Sequence, residues 1–270
     1  MTGRSGRLLW ILCTVVVVIG LALVIALSRS SKRKEGEQVA PASVVKQVAT
    51  VPASVFRQVG VGTAAGAPRV ISAPALTVGG KPHIVYIGAE YCPFCATQRW
   101  PMVVALSRFG TFSKLKSTHS SGTDVYPNTP TFSFHGSTYT SRWIAFTGVE
   151  IQSNKRQGDS YAPLDKMTAA EEQIFATYNA PPYTKSAGGI PFVDFGGKFI
   201  LEGVTYDPSV LSGKNTEQIA TALSDPTTPI STGVIGVANT FTAAICSLTH
   251  NQPASVCSDP VIAQIEAGLK

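Results

Sequence analysis

The sequence is poor in charged residues and in histidine. Only 14% of its 270 residues are Asp, Glu, Lys or Arg, and four are histidines. The histidines are scattered and none has the H-x₃₋₅-H spacing of a zinc site, so no closed metal centre is predicted. The body of the chain also lacks a basic stripe interleaved with aromatic residues. That absence excludes a typical nucleic-acid-binding surface.

Motifs that hold nucleotides or activate a serine are also absent. The chain has no Walker phosphate loop, no Rossmann glycine fingerprint and no G-x-S-x-G elbow. The glycine-rich stretch GVGTAAG at 60–66 lacks the lysine of a phosphate loop and opens no clear helix. The sequence therefore predicts no cofactor and gives no support to serine-dependent hydrolysis.

One long stretch near the start carries no charge at all. Residues 8–27, LLWILCTVVVVIGLALVIAL, match the roughly 20 helical residues that cross a bilayer core about 30 Å thick. The run exceeds the apolar core of a signal peptide, and no A-x-A cleavage pattern follows it. It predicts a single-pass transmembrane helix in contact with lipid, with a short tail at 1–7 and a juxtamembrane linker at 28–42.

Two signals disagree about which side of the membrane holds the soluble part. Four basic residues follow the span and two precede it, which by the positive-inside rule places the body in the cytoplasm. The chain also has five cysteines, four of them in two spaced pairs, a pattern typical of an oxidising compartment. We expect the soluble domain to be extracytoplasmic.

The first cysteine pair lies where a strand is predicted to meet a helix. HIVYIGA at 83–89 predicts a buried strand, and PFCATQRWPMVVALSRFG at 93–110 has helical apolar spacing, with Gly110 as its stop. Cys92 would then lie at the helix N-terminus, where unpaired N–H groups and the helix dipole stabilise a thiolate. Such a thiolate can attack a disulfide, and Cys95 can resolve the product.

The order of predicted elements indicates an α/β fold in which helices flank a mixed sheet. A helical or irregular lead-in over 43–69 precedes a domain over 70–225 that contains an insertion, and a C-terminal helical hairpin covers 226–270. After the first helix the pattern predicts two strands over 131–151 separated at Gly136, a helix over 168–179 capped by Thr168, a hairpin over 190–206 around Gly196-Gly197, and helices over 215–224, 232–249 and 259–269.

Pro191 is the second candidate site residue. It begins a predicted strand and follows Gly188 and Gly189 closely. A cis bond before it would turn neighbouring backbone groups toward the dithiol, where an extended substrate could pair with them. Only about 5–6% of X–Pro bonds in folded proteins are cis, but the predicted fold context favours cis here.

These motifs resemble known sequences. AEYCPFC is similar to the active-site stretch of thioredoxin-like proteins, and Ile190-Pro191 resembles their cis-proline loop. The strings YIGAEYCPFCATQRWPMVVALSRFGTF, IPFVDFGGKF and ICSLTHNQPASVC resemble one microbial family, domain of unknown function 929, which is membrane-anchored and thioredoxin-like and has no established substrate. The resemblance covers about residues 70–260. It implies a thioredoxin-like fold and, by analogy only, thiol–disulfide oxidoreductase activity.

One position departs from the thioredoxin pattern. A buried aspartate often lies six residues before the first cysteine in thioredoxins and helps to deprotonate the resolving one; Tyr86 occupies that place here. Glu90 is the nearest acid and is a candidate proton acceptor, although it could equally be a solvated loop residue. The Pro-Phe dipeptide between the cysteines differs from the Gly-Pro of reducing thioredoxins, so the direction of the reaction stays open.

The second cysteine pair consists of Cys246 and Cys257, which flank SLTHNQPASV. A structural disulfide here would join two helices across a turn at Pro253. The alternative is a relay pair that exchanges electrons with the C-x-x-C motif. We expect the structural disulfide, because exchange requires close approach of the sulfurs.

Two classes of function fit these features. The first is a membrane-tethered thiol–disulfide oxidoreductase that acts on thiols or disulfides of exported proteins, with an unidentified electron-transfer partner. The second is a non-catalytic thioredoxin-like scaffold, or a copper-delivery module in which His119 or His135 joins Cys92 and Cys95.

Overall fold

The computed structural model describes residues 36–269 of the chain. The predicted transmembrane helix over 8–27 and most of the predicted linker over 28–42 lie outside these residues. Within the described part, one helix, Pro229–Leu248, is long and apolar enough to cross a membrane, with a mean hydropathy of 1.4. Because 89% of its most apolar 18-residue stretch is buried inside the protein, it has the character of a core helix.

The described chain alternates short strands with helices. Helices α1 to α8 span Ala42–Ala49, Ala53–Val59, Pro93–Ser107, Ala169–Tyr178, Thr216–Ala222, Pro229–Leu248, Ala254–Cys257 and Pro260–Gly268, and a 3₁₀ turn covers Pro208–Leu211. Strands β1 to β13 span Gln38–Val39, Arg69–Val70, Thr77–Val78, Lys81–Gly88, Gly110–Ser113, Lys116–His119, Pro130–Ser133, Thr138–Ser141, Ala145–Glu150, Gln152–Gln157, Ser160–Pro163, Phe192–Phe195 and Phe199–Glu202.

The largest sheet has the order β2-β13-β12-β4-β3, and β9 pairs with β4. Strand β4 is antiparallel to β12, with Ile87 opposite Phe192, and parallel to β9, with Tyr86 opposite Gly148. The sheet is therefore mixed. The fold is a mixed α/β fold, as the element order predicted.

Strand β4 lies at the centre of this sheet and is buried on both faces. Ile84, Val85, Tyr86 and Ile87 have no exposed surface. Ile84 and Tyr86 belong to the main core, to which α3 and α6 contribute, whereas Val85 and Ile87 belong to a smaller core beneath α4. Burial on both faces explains why β4 is a continuous apolar run rather than an alternating one.

The insertion between α3 and α4 forms three small sheets and departs from the predicted two strands over 131–151. That segment contains three strands, β7, β8 and β9. Gly136, at a φ of +65°, turns the chain between the first two. The hydroxyl of Ser141 accepts hydrogen bonds from the N–H groups of Trp143 and Ile144, at 3.0 and 3.3 Å, and bends the chain before β9. The sequence did not indicate this second bend, because the alternating apolar pattern continues through it.

Local signals fixed several other boundaries. Thr168 and Glu171 form the predicted capping box at the start of α4. The β12–β13 hairpin turns at Gly196-Gly197, where the Gly197 N–H donates to the carboxylate of Asp194 at 2.6 Å. Helix α3 ends at Ser107, and Gly110 is the first residue of β5 rather than the end of the helix.

The C-terminal segment packs into the core of the protein. Helix α6 packs against α3, and α8 packs against α6. A disulfide joins Cys246, near the end of α6, to Cys257 in α7, and both residues are buried. The predicted pairing is confirmed. The first residues of the predicted linker that the structure describes are also ordered into the fold, because β1 pairs with β6.

Candidate dithiol site

Cys92 lies at the N-terminal end of α3, immediately after the loop that follows β4. It is the N-cap residue, and its sulfur accepts a hydrogen bond from the Cys95 N–H at 3.3 Å. Pro93 follows at the first helical position, where its missing N–H needs no partner. The sequence predicted this placement because an apolar strand, a short loop and a proline precede the helical pattern.

The two thiols differ in their surroundings. Both are free, Cys92 is 5% exposed and Cys95 has no exposed surface. The pKa of Cys92 is lowered by its hydrogen bond with the Cys95 thiol, against the opposing effect of burial, and backbone N–H groups and the Arg99 charge lower it further. Burial raises the pKa of Cys95 well above its ordinary value. The site thus contains one activated sulfur and one protected sulfur.

The loop before β12 brings Pro191 to the dithiol. The Ile190–Pro191 peptide bond is cis, as predicted. The Cys92 thiol points at the carbonyl oxygen of Ile190 across 4.0 Å. The structure therefore brings the Pro191 loop next to Cys92 and Cys95, although the loop follows them by almost a hundred residues in the sequence.

A buried ion pair beneath the dithiol was missed by the sequence reasoning. Arg99 and Glu150 both have no exposed surface; Nε of Arg99 donates to Oε1 of Glu150 at 2.7 Å, and Nη2 donates to Oε2 at 2.5 Å. Burial alone would lower the pKa of Arg99, but the Glu150 carboxylate raises it, so Arg99 stays charged. Nη2 also donates to the carbonyl of Ala89 at 2.6 Å, which anchors the loop before Cys92.

The family model described as Domain of unknown function (DUF929) matches residues 68–247. The chain belongs to the DUF929 family. The matched span includes the dithiol, the Pro191 loop and Cys246, and it ends before Cys257. Searches of curated proteins and of solved structures found no match.

Glu90 of this DUF929 protein is not a solvated loop residue. It is fully buried, and neither carboxyl oxygen has a hydrogen-bond partner within bonding geometry among the described residues. Ser133 and the carboxyl group of Glu37 lie beside it. Burial raises the pKa of Glu90 to about 7, so this acid can take up and release a proton near neutral pH.

Tyr86 lies on β4, six residues before Cys92, and is fully buried. Its ring packs edge-on against Phe134 with centroids 5.0 Å apart, and the guanidinium of Arg99 lies 5.8 Å from its centroid. Burial raises the pKa of Tyr86 well above its ordinary value, so it stays neutral. It therefore cannot serve as a proton acceptor for the thiols.

The histidines considered as copper ligands have other partners. Nδ1 of His135 lies 2.5 Å from Oδ1 of Asp165, and Nδ1 of His119 lies 2.8 Å from the carbonyl of Ser120. Across residues 36–269, no group of three or more Cys, His, Asp or Glu side chains is arranged to hold a metal ion. The geometry of the described residues gives the copper hypothesis no additional ligand.

Proposed function

We propose that this DUF929 protein is a membrane-anchored thiol–disulfide oxidoreductase that acts on exported proteins through Cys92 and Cys95. The proposal is carried by one observation. The Cys92 sulfur lies at the N-terminus of α3, accepts the Cys95 N–H at 3.3 Å and faces the Ile190 carbonyl at 4.0 Å. A helix N-terminus that stabilises a thiolate, with a second thiol one turn away, is the arrangement that thiol–disulfide exchange requires.

The topology supports a thioredoxin-like assignment within the mixed α/β class. Strand β4 leads into α3, parallel β9 lies on one side of β4, and antiparallel β12 and then β13 lie on the other. This is the order of a thioredoxin-like domain, with the small sheets as its insertion. The dithiol then follows the first strand of that domain, and Pro191 precedes the third.

The proposed reaction is a two-electron exchange. The Cys92 thiolate attacks one sulfur of a substrate disulfide, which breaks that bond, forms a mixed disulfide and releases the other substrate sulfur as a thiolate that takes up a proton. Cys95 loses its proton and attacks the Cys92 sulfur, which releases the second substrate thiol and leaves a Cys92–Cys95 disulfide. The substrate is reduced and the protein oxidised. A partner dithiol returns the protein to its starting state, and the reverse sequence oxidises a substrate.

Glu90 is the acid that we propose as proton acceptor for this cycle. Cys95 is fully buried, so its proton needs a nearby group when it attacks Cys92. Glu90 precedes Cys92 by two residues, and its pKa of about 7 suits proton exchange near neutral pH. Its burial excludes a solvated side chain, and the charge of Arg99 acts on Glu90 as well as on both thiols.

The proposed location rests on two features. The apolar run over 8–27 is long enough to anchor the chain in a bilayer. The buried Cys246–Cys257 disulfide fits an oxidising, extracytoplasmic compartment better than a reducing one. Exported proteins would then be the disulfide-containing substrates within reach.

A redox titration of the full-length chain in detergent tests the proposal. We expect Cys92 and Cys95 to be oxidised and reduced together in glutathione buffers, with a midpoint between about −270 and −120 mV. Alkylation followed by mass measurement counts the free thiols. A pair that stays reduced throughout, or that binds Cu(I) and loses it on Cys92→Ser, would overturn the oxidoreductase reading in favour of a scaffold or copper carrier.

A further inference from the structure

Aromatic side chains of the dithiol loop and of two neighbouring segments form a partly exposed surface next to Cys92, which lies in a recess with only 5% of its surface exposed. We call it the aromatic rim. Three separate segments supply it: the dithiol loop, the loop between β6 and β7, and the β10–β11 hairpin. Its members are apolar or aromatic side chains that are partly or largely exposed: Tyr91, Phe94, Val125, Tyr126 and Tyr161.

Parts of the rim are exposed to solvent. Phe94, which stands between the two cysteines, is 37% exposed, and Val125 is 69% exposed. The ring of Tyr126 packs edge-on against Phe94, with centroids 6.0 Å apart. Such rings favour apolar or aromatic contacts. A group of exposed apolar side chains beside a reactive sulfur is typical of a surface that contacts a ligand.

Hydrogen bonds hold the rim in place before any ligand arrives. The carbonyl of Tyr126 accepts from the hydroxyls of Ser120 and Thr129, at 3.0 and 2.9 Å. The Tyr161 hydroxyl donates to Ser121 Oγ at 2.6 Å, and the Ser121 N–H donates to the carbonyl of Tyr91 at 2.8 Å. The insertion is thereby tied directly to the dithiol loop, and a preformed surface loses little entropy on binding.

The second half of the rim is a pair of stacked rings. Tyr91 and Tyr161 lie parallel with centroids 4.3 Å apart, and the guanidinium of Arg156 lies 5.1 Å from the Tyr161 centroid. Burial raises the pKa of Tyr91, and the nearby negative charge of Asp124 contributes to that increase. Arg156 and Asp124 carry opposite charges, so we expect this surface to select by apolar contact rather than by net charge.

The recess decides what kind of ligand reaches the sulfur. Cys92 is only 5% exposed, so a flat, rigid protein face cannot bring its own disulfide into bonding distance. An extended polypeptide segment can insert one sulfur while its neighbouring side chains rest on the surrounding surface. Phe94 and Tyr126 are the side chains that such neighbours would meet.

We propose that the aromatic rim is a side-chain subsite for the polypeptide that carries the target disulfide. It selects extended segments with an aromatic or large aliphatic residue next to the reacting cysteine. This inference rests on the proposed oxidoreductase function. It adds a substrate class to that function, and it assigns the recognition to the insertion rather than to the dithiol itself.

Two peptides that differ at one position test the subsite. Each carries one cysteine as a mixed disulfide with glutathione, flanked by Phe in one peptide and by Ala in the other. Attack by the reduced full-length chain releases peptide thiol and glutathione while the dithiol becomes a disulfide. We expect a kcat/KM about 5- to 10-fold higher for the Phe peptide, because this ratio corresponds to about 1–1.4 kcal/mol, which is within the range of one aromatic contact.

Matched variants assign this preference to the rim. We expect Tyr126→Ala to reduce the preference to less than about twofold, whereas Tyr126→Phe keeps it because the ring remains. Val78→Ala is the control, because Val78 is 51% exposed but lies on β3, outside the rim. The preference is a ratio measured on one preparation, so partial unfolding of a variant cancels.

The outcomes separate the two proposals. A wild-type chain that exchanges with glutathione disulfide but treats both peptides alike overturns the subsite and leaves the proposed function standing. A preference that survives Tyr126→Ala also overturns the subsite. A chain that exchanges with neither peptide nor with glutathione disulfide overturns both proposals.

Discussion

Replacing Arg99 by methionine removes one partner of the buried pair beneath the dithiol. Glu150 then remains in the core without its counter-charge and without the two hydrogen bonds of 2.7 and 2.5 Å that Arg99 donates. Both side chains are fully buried, so water cannot replace the lost partner. Breaking one side of such a pair costs about 3–5 kcal/mol of unfolding free energy.

The double variant Arg99→Met with Glu150→Leu is expected to recover most of this loss. It removes both charges together, and an apolar pair of similar volume is often as stable as the ion pair it replaces. A residual cost of about 1–2 kcal/mol is expected, because the Phe134 N–H donates to Oε1 of Glu150 at 3.3 Å and loses that acceptor. The Ala89 carbonyl loses its guanidinium partner as well.

The same variants should behave differently at the dithiol. The positive charge of Arg99 helps to lower the pKa of Cys92, so its removal raises that pKa in both the single and the double variant. Stability is therefore rescued by the second substitution, whereas thiol activation is not. This split separates the electrostatic role of Arg99 from its structural role.

Two assays check these effects. Urea unfolding followed by tryptophan fluorescence reports stability, since Trp100 is fully buried in the same helix. The pH dependence of iodoacetamide alkylation reports the pKa of Cys92. A cost below about 1 kcal/mol for Arg99→Met would refute the buried-pair reasoning. An unchanged pKa of Cys92 would refute the activation reasoning.

Three further predictions concern the cysteines and Glu90. Replacing Cys246 and Cys257 together by alanine should lower the unfolding free energy by about 3 kcal/mol, measured by urea unfolding, because their 11-residue separation closes a short loop; loss of exchange at the dithiol would instead favour the relay reading. Burial raises the pKa of Glu90 from 4.5 to about 7, so the wild type should lose stability as pH rises through that window. Compared with Glu90→Gln, the wild type should lose about 2 kcal/mol of unfolding free energy between pH 5 and pH 8. Parallel curves of unfolding free energy against pH for the two proteins would contradict a raised pKa of Glu90. Iodoacetamide should modify Cys92 well before Cys95. The hydrogen bond from Cys95 lowers the pKa of the Cys92 thiol, and burial raises the pKa of the Cys95 thiol. Peptide mapping that finds equal alkylation rates for the two cysteines would contradict this difference.

Features encoded by neighbouring residues were predictable from the sequence. The apolar run of β4, the cap of Thr168 on α4 and the turn at Gly196-Gly197 each depend on signals a few residues apart. The position of Cys92 at a helix N-terminus follows from the same kind of local signal. Such elements form wherever the chain has those residues, so tertiary packing changed them little.

Features that depend on distant partners were not predictable. Arg99 lies in an apolar helix four residues after Cys95, which could have marked it as buried, but nothing in the sequence pointed to Glu150, 51 residues away. Glu90 was ambiguous for the same reason, since only the packing around it decides whether it is solvated. The aromatic rim likewise requires loops that meet only in the folded chain.

Helix α6 shows a limit of reading apolar patterns. The sequence indicated a helix over 232–249, close to Pro229–Leu248, as part of a C-terminal helical hairpin, but it did not indicate what that helix packs against. An apolar helix at the end of a chain gives no sign of which surface it covers. In the structure it packs against α3, the helix that carries the dithiol, so it supports the site from behind.

The most direct test of the account is whether Cys92 attacks a disulfide. The full-length chain with Cys95→Ser, incubated with a glutathionylated peptide, should form a stable mixed disulfide that peptide mapping locates on Cys92 and that a reductant releases. The matched variant Cys92→Ser should form none. The absence of an adduct with Cys95→Ser, or an equal adduct on Cys95 with Cys92→Ser, would contradict the proposal that Cys92 is the activated nucleophile.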